Sequence, residues 1–114
     1  MQSIDKEQLE LLISLIGTNE VQQLSTRNLA EIDEIAEVCK RSSEYVDKKH
    51  LAEHVHSIAN GTVAIGASAL SRSLGELEFK LRANDNNIED ELSEVKLAAT
   101  KVKSELVGIF ADQL

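Results

Sequence analysis

At 114 residues, 42% of them hydrophobic, the chain is long enough to bury one core and too short for two, so a single domain over 1–114 is expected. Its formal charge of −8 argues against nucleic acid and against an anionic membrane surface, because affinity for either comes from clustered Lys and Arg. No apolar run approaches the roughly 20 residues that span a bilayer, and nothing basic leads into an apolar stretch at Met1-Gln2-Ser3-Ile4-Asp5, so a cytoplasmic protein without direct membrane contact is expected.

Proline is absent and aromatic residues make up 3%, while Leu, Ile, Val, Ala, Glu and Lys dominate, a mixture that favours helix over strand. The fold class expected is all-α. From Asp5 to Ile16 the apolar residues Leu9, Leu12, Ile13 and Ile16 fall at helical spacing and stop at Gly17, which predicts a short first helix. A longer helix is predicted from about Asn19 to Lys40, with Val21, Leu24, Ile32, Ile35, Val38 and Cys39 on one face, Asn28 interrupting it and Leu29 beside it. Cys39, the only cysteine, forms no disulfide framework and is read as a small core residue.

Asp47 is the expected N-cap of a third helix, with Val46 and Leu51 in the two positions of a hydrophobic staple. Its stripe runs Leu51, Val55, Ile58, Thr62 and Ile65, and Gly66 ends it. A fourth helix repeats the spacing in Leu70, Leu74, Leu77 and Leu81 before the turn-forming run Ala83-Asn84-Asp85-Asn86-Asn87. In the last helix Asn86 and Glu89 fit a capping box, and Ile88, Leu92, Val95, Ala99, Val102, Leu106 and Ile109 alternate by four and three. Four such stripes on short connections close as an antiparallel four-helix bundle with the short N-terminal helix laid over one end.

All three histidines, His50, His54 and His56, lie on the third helix. Advancing about 100° per residue from the mean of the apolar stripe puts His54 near −60°, beside the core, and His56 near +140°, toward solvent. Ala52, Glu53, Ala59, Asn60 and Val63 are the helical neighbours of His56, and this low, partly apolar surface is expected to form a docking platform around it. A neutral imidazole near physiological pH is a good nucleophile and can take a phosphoryl group on a ring nitrogen and release it.

The run His-Ser-Ile-Ala-Asn-Gly-Thr-Val-Ala-Ile-Gly-Ala from His56 resembles the signature of histidine-containing phosphotransfer (HPt) domains of bacterial two-component phosphorelays. There the phosphorylated His is followed by an apolar residue at +2, here Ile58, and by a Leu/Ile-Gly-Ala group, here Ile65-Gly66-Ala67; the register fits His56 alone. Leu70 and Leu77-Glu78 are similar to the family's next helix, Asp47 to its acidic cap, and Ile4, Leu9, Leu12 and Gly17 to its opening helix, so the resemblance spans nearly the whole chain. Two positions depart from it: Ala59 stands where Lys is usual at +3, and Asn60 where Gly is common at +4. The first removes a cation beside the phosphate; Asn60 can donate a hydrogen bond to it, Gly61 is expected to give back room, and Lys49 or the partner is left to bring the cation.

The resemblance implies a phosphocarrier with no kinase activity of its own. The phosphoryl group on His56 would pass to and from an aspartate on the receiver domain of a response regulator or hybrid sensor kinase, which would also supply Mg2+. Ala52, Ala59, Asn60, Gly61 and Val63 would surround the phosphate or meet that partner, and no cofactor or metal would belong to this chain. No Gly-rich phosphate loop ending in Lys and Ser/Thr is present, as this division of labour requires. Two other readings stand beside it: an HPt-like or structural helical adaptor that docks a partner without being phosphorylated, and a zinc site on His50-Leu51-Ala52-Glu53-His54, a literal H-x-x-E-H. The acidic clusters Asp33-Glu34 and Glu89-Asp90-Glu91 read as solvated helix faces.

Overall fold

The computed structural model describes residues 3–41 and 47–111, and the staple residue Val46 lies outside them. Among the described residues there are five α-helices and no strand: α1 Lys6–Ile16, α2 Thr18–Arg41, α3 Lys48–Ala64, α4 Ser68–Arg82 and α5 Glu89–Ala111. The expected ends hold at α1 and at the start of α3. Asp5 caps α1 by accepting from the amides of Glu7 and Gln8, and Gly17, at φ +90°, turns the chain into α2. Asp47 caps α3 by accepting from the amides of Lys49 (3.1 Å) and His50 (3.2 Å).

One capping expectation fails. Helix α5 begins at Glu89, two residues beyond where an Asn86–Glu89 capping box would start it, and Asn86 instead accepts from the ammonium of Lys48 across the bundle end. Asp85 takes over locally, accepting from the amide of Asn87 at 2.8 Å, while Asn84 occupies the left-handed region at φ 58°, which its short polar side chain tolerates.

Helix α3 packs on α4 and α2, α4 on α5, and α5 on α2, which closes α2 to α5 into a four-helix bundle; α1 lies over α2 and α3. The predicted stripes of α3 and α4 are fully buried, and all five helices contribute to one apolar core. The α2 stripe weakens outward: Val38 is exposed, and Cys39 is half-buried against the core, where burial pushes its thiol pKa up and keeps it protonated. On α1 only Leu9 is fully buried, so Ile16, expected in the core, stands open with Leu11 and Leu15. Between α4 and α5 Lys80 reaches the Glu91 carboxylate at 2.8 Å, so Glu91 is half-buried and paired rather than part of a solvated face.

Two glycines shape α3 and the turn after it. Gly61 faces Asn28, the polar break in the α2 stripe, so closely that an added Cβ would lie 2.0 Å from Asn28 Nδ2. Gly66 has φ +82°, and a Cβ there would lie 2.8 Å from the Asp5 carbonyl, whose own amide donates back to the Gly66 carbonyl at 2.9 Å. Gly61→Ala should therefore lower stability by about 1–3 kcal/mol in urea unfolding, and adding Asn28→Ala should recover part of the loss. A Gly61→Ala protein as stable as the parent would contradict this packing.

Candidate functional site

The side chain of His56 is 59% exposed, as its helical direction predicts, but it is not solvated on all sides. Its Nδ1 lies 3.0 Å from Oε1 of Glu78 on α4, and the other oxygen of that carboxylate accepts from Arg82 Nε at 2.8 Å. The antiparallel hairpin puts these groups side by side. His56 stands ten residues before Gly66 and Glu78 twelve after it, so at about 1.5 Å of rise per residue both sit about 15–18 Å from the turn.

The charge state of Glu78 fixes the proton on His56. Burial pushes the Glu78 pKa up, but hydrogen bonds from Arg82 and His56, with the charge of protonated His56 and of Arg82, bring it below the ordinary carboxylate value. An ionised carboxylate only accepts, so Nδ1 must be the donor, and neutral His56 keeps the lone pair on Nε2. The solvent-facing imidazole thus presents a nucleophile whose tautomer and ring orientation are set from behind.

The surroundings of His56 differ from the expected platform. Ala52 has 0% exposure and belongs to the core, so it cannot form a docking surface. By helical advance Ala52 and Ala59 lie near +100° and +80°, the flank over which α4 packs. Small side chains there let the two helices approach. Ala59 is half-buried, and its carbonyl accepts from Thr62 Oγ1 at 2.7 Å and from Ser71 Oγ of α4 at 3.4 Å. Gly61 faces α2 through Asn28 and gives its room to that helix rather than to the imidazole. Of the five residues expected around His56, Asn60 and Val63 are exposed on its face of α3.

The open surface continues onto α1, which the sequence did not single out. Gln8 Nε2 donates to the carbonyl of Val63, and Leu11 and Leu15, three and seven residues further on, share the Gln8 face of α1. They are 60% and 71% exposed, so the apolar strip beside Val63 is longer than α3 alone supplies.

The other histidines stand apart. His54 Nε2 is 3.9 Å from Glu31 of α2, and His50 is exposed near the start of α3. Among the described residues no group of three or more His, Cys, Asp or Glu side chains is placed to hold a metal ion. No helix of the described residues is long and apolar enough to cross a membrane. Among the described residues the structure brings one cation to this site, Arg82, which pairs with Glu78 on the Nδ1 side of the imidazole. Glu78, placed by the resemblance only in the next helix, and Arg82 were not assigned to the site from the sequence. The only signal for Glu78 was its similar distance from the turn, twelve residues against ten for His56.

The chain matches none of the protein-family models, curated proteins or solved structures with which it was compared.

Nitrogen-15 NMR should find neutral His56 with its proton on Nδ1, and Glu78→Ala should shift the ring toward the Nε2–H form. An unchanged tautomer in Glu78→Ala would show that the carboxylate does not set it.

Proposed function

We propose that this chain is a phosphorelay intermediate, carrying a phosphoryl group on Nε2 of His56 between the aspartates of receiver domains in bacterial two-component signalling. The observation that carries the reading is the exposed imidazole whose Nδ1 is held by an ionised Glu78. The His56 signature and the packing of five helices support it.

In the transfer, the Nε2 lone pair attacks the phosphorus of an aspartyl phosphate; an N–P bond forms, the acyl O–P bond breaks, and the bonding pair leaves with the aspartate carboxylate. Positive charge grows on the ring as this happens. Glu78, at 3.0 Å from Nδ1, offsets that charge, and Arg82 keeps Glu78 from accepting the ring proton outright. Attack by the next receiver's aspartate reverses the sequence and leaves Nε2 free. The receiver domain would bring the Mg2+ and the remaining catalytic groups, so the chain acts as a carrier and not as a kinase.

The receiver would dock over Asn60 and Val63, on the face of α3 that bears His56, and along Leu11 and Leu15 of α1, which the Gln8–Val63 hydrogen bond joins to that helix. Asn60 is placed on the face of α3 that bears His56 and has an amide to offer a phosphoryl oxygen. Ala59 keeps its role in the α3–α4 contact. Such a protein works in the cytoplasm, where receiver domains act.

Incubation with phosphorylated receiver domains should put acid-labile phosphate on the chain. His56→Gln should abolish the label while changing stability by no more than about 1 kcal/mol, since the side chain faces water, and His54→Gln should keep it. Loss of label in His54→Gln, or receiver binding without any label, would overturn the assignment, the latter in favour of an adaptor that only docks.

A further inference from the structure

Helix α1 is weakly anchored for an element that carries half of a docking surface. It has 11 residues, too few to be stable alone, and is held to the core by one fully buried side chain, Leu9, with Leu12 and Ile13 half-buried beside it. It packs on α2 and α3 and makes no such contact with α5. Its position therefore depends on how its ends are tied as well as on these few contacts. At the C-terminal end the Gly17 turn leads straight into α2. At the other end residues Ser3 to Asp5 run back over the bundle as a strap.

The strap has three fastenings. Ile4 is buried at 1% exposure, the Asp5 amide donates to the Gly66 carbonyl at 2.9 Å, and the Glu105 carboxylate of α5 accepts from the amides of Ser3 at 2.7 Å and Ile4 at 3.2 Å. The third is charge-assisted. Burial pushes the Glu105 pKa up, but the Ser3 and Ile4 hydrogen bonds and the charge of Lys6 bring it below the ordinary value, so the carboxylate is ionised at neutral pH. Glu105 thus holds two adjacent backbone amides from a helix that α1 itself does not touch.

We infer that Glu105 is a positioning residue for the partner: by clamping the Ser3 and Ile4 amides it seats α1 beside Val63, and so sets the affinity for the docking domain without acting on His56. This rests on the phosphocarrier reading given above. The chain of contacts is continuous. Glu105 holds the strap, the strap sets the start of α1, Gln8 of α1 bonds the Val63 carbonyl, and Leu11 and Leu15 extend the surface from there. His56 and Glu78 lie on α3 and α4, held by the core and by each other. Loosening α1 leaves them in place.

The test is Glu105→Gln, which keeps the side chain's size but offers one acceptor oxygen, so that its NH2 opposes one of the two amides. With a phosphorylated receiver domain as donor, KM should rise roughly fivefold while the maximal rate of transfer stays within twofold. Labelling of His56 by phosphoramidate, a small donor that needs no docking surface, should be unchanged. Amide exchange should quicken from Ser3 to Leu9 and not in α3 to α5. Leu15→Asn should also raise KM, and combined with Glu105→Gln the effects should be less than multiplicative, because the loosened helix no longer presents Leu15. An unchanged KM, an equal loss with both donors, or multiplicative effects would each overturn the inference. Wild-type protein that takes label from neither donor would overturn the phosphocarrier reading itself, and this inference with it.

Discussion

The packing of α3 on α4 is the constraint on which the rest of the molecule depends. Leu51, Val55, Ile58, Thr62 and Ile65 face Leu70, Leu74, Leu77 and Leu81 across a turn pinned by Gly66. Burying side chains of this size stabilises by about 1.5–3 kcal/mol each. A slip of one turn along the contact would therefore be costly. The same register sets His56 opposite Glu78, so the geometry of a surface site is guaranteed by apolar residues that never reach the surface.

That register also separates the tasks of the α3 flanks. Toward α4, Ala52 and Ala59 are small so that the helices can approach; toward α2, Gly61 is small so that buried Asn28 can fit. What remains open carries His56, Asn60 and Val63. A carboxylate on α4 then reaches the imidazole from the α4 side, and Arg82, four residues along the same helix, holds the carboxylate in its ionised form. Each member orients the next. Arg82 gives Glu78 its charge, Glu78 gives neutral His56 its tautomer, and the free lone pair is left on Nε2.

The helices were legible in the sequence because the four-and-three spacing is a direct print of one buried face, and Asp5, Gly17, Asp47 and Gly66 mark ends through local chemistry alone. The direction of His56 was legible for the same reason. The platform was misread at Ala52 because a helical wheel gives an angle from the stripe and not the width of the neighbour that covers it; α4 covers that flank out to about +100°. Glu78 as partner, and the α1 strip of Leu11 and Leu15, depend on contacts between helices far apart in sequence. No single helix's pattern contains them. The capping box at Asn86 failed on a similar ground, since a lysine at the start of α3, brought by the fold to the same end of the bundle, claimed its side chain.

The account stands on which atom of which histidine is reactive. The direct measurement is 31P–15N coupling on 15N-labelled protein after phosphotransfer from a receiver domain. The account predicts one phosphorus signal coupled to Nε2 of His56, with Nδ1 still protonated toward Glu78. Phosphorus on Nδ1 of His56, or on His50 or His54, would contradict it.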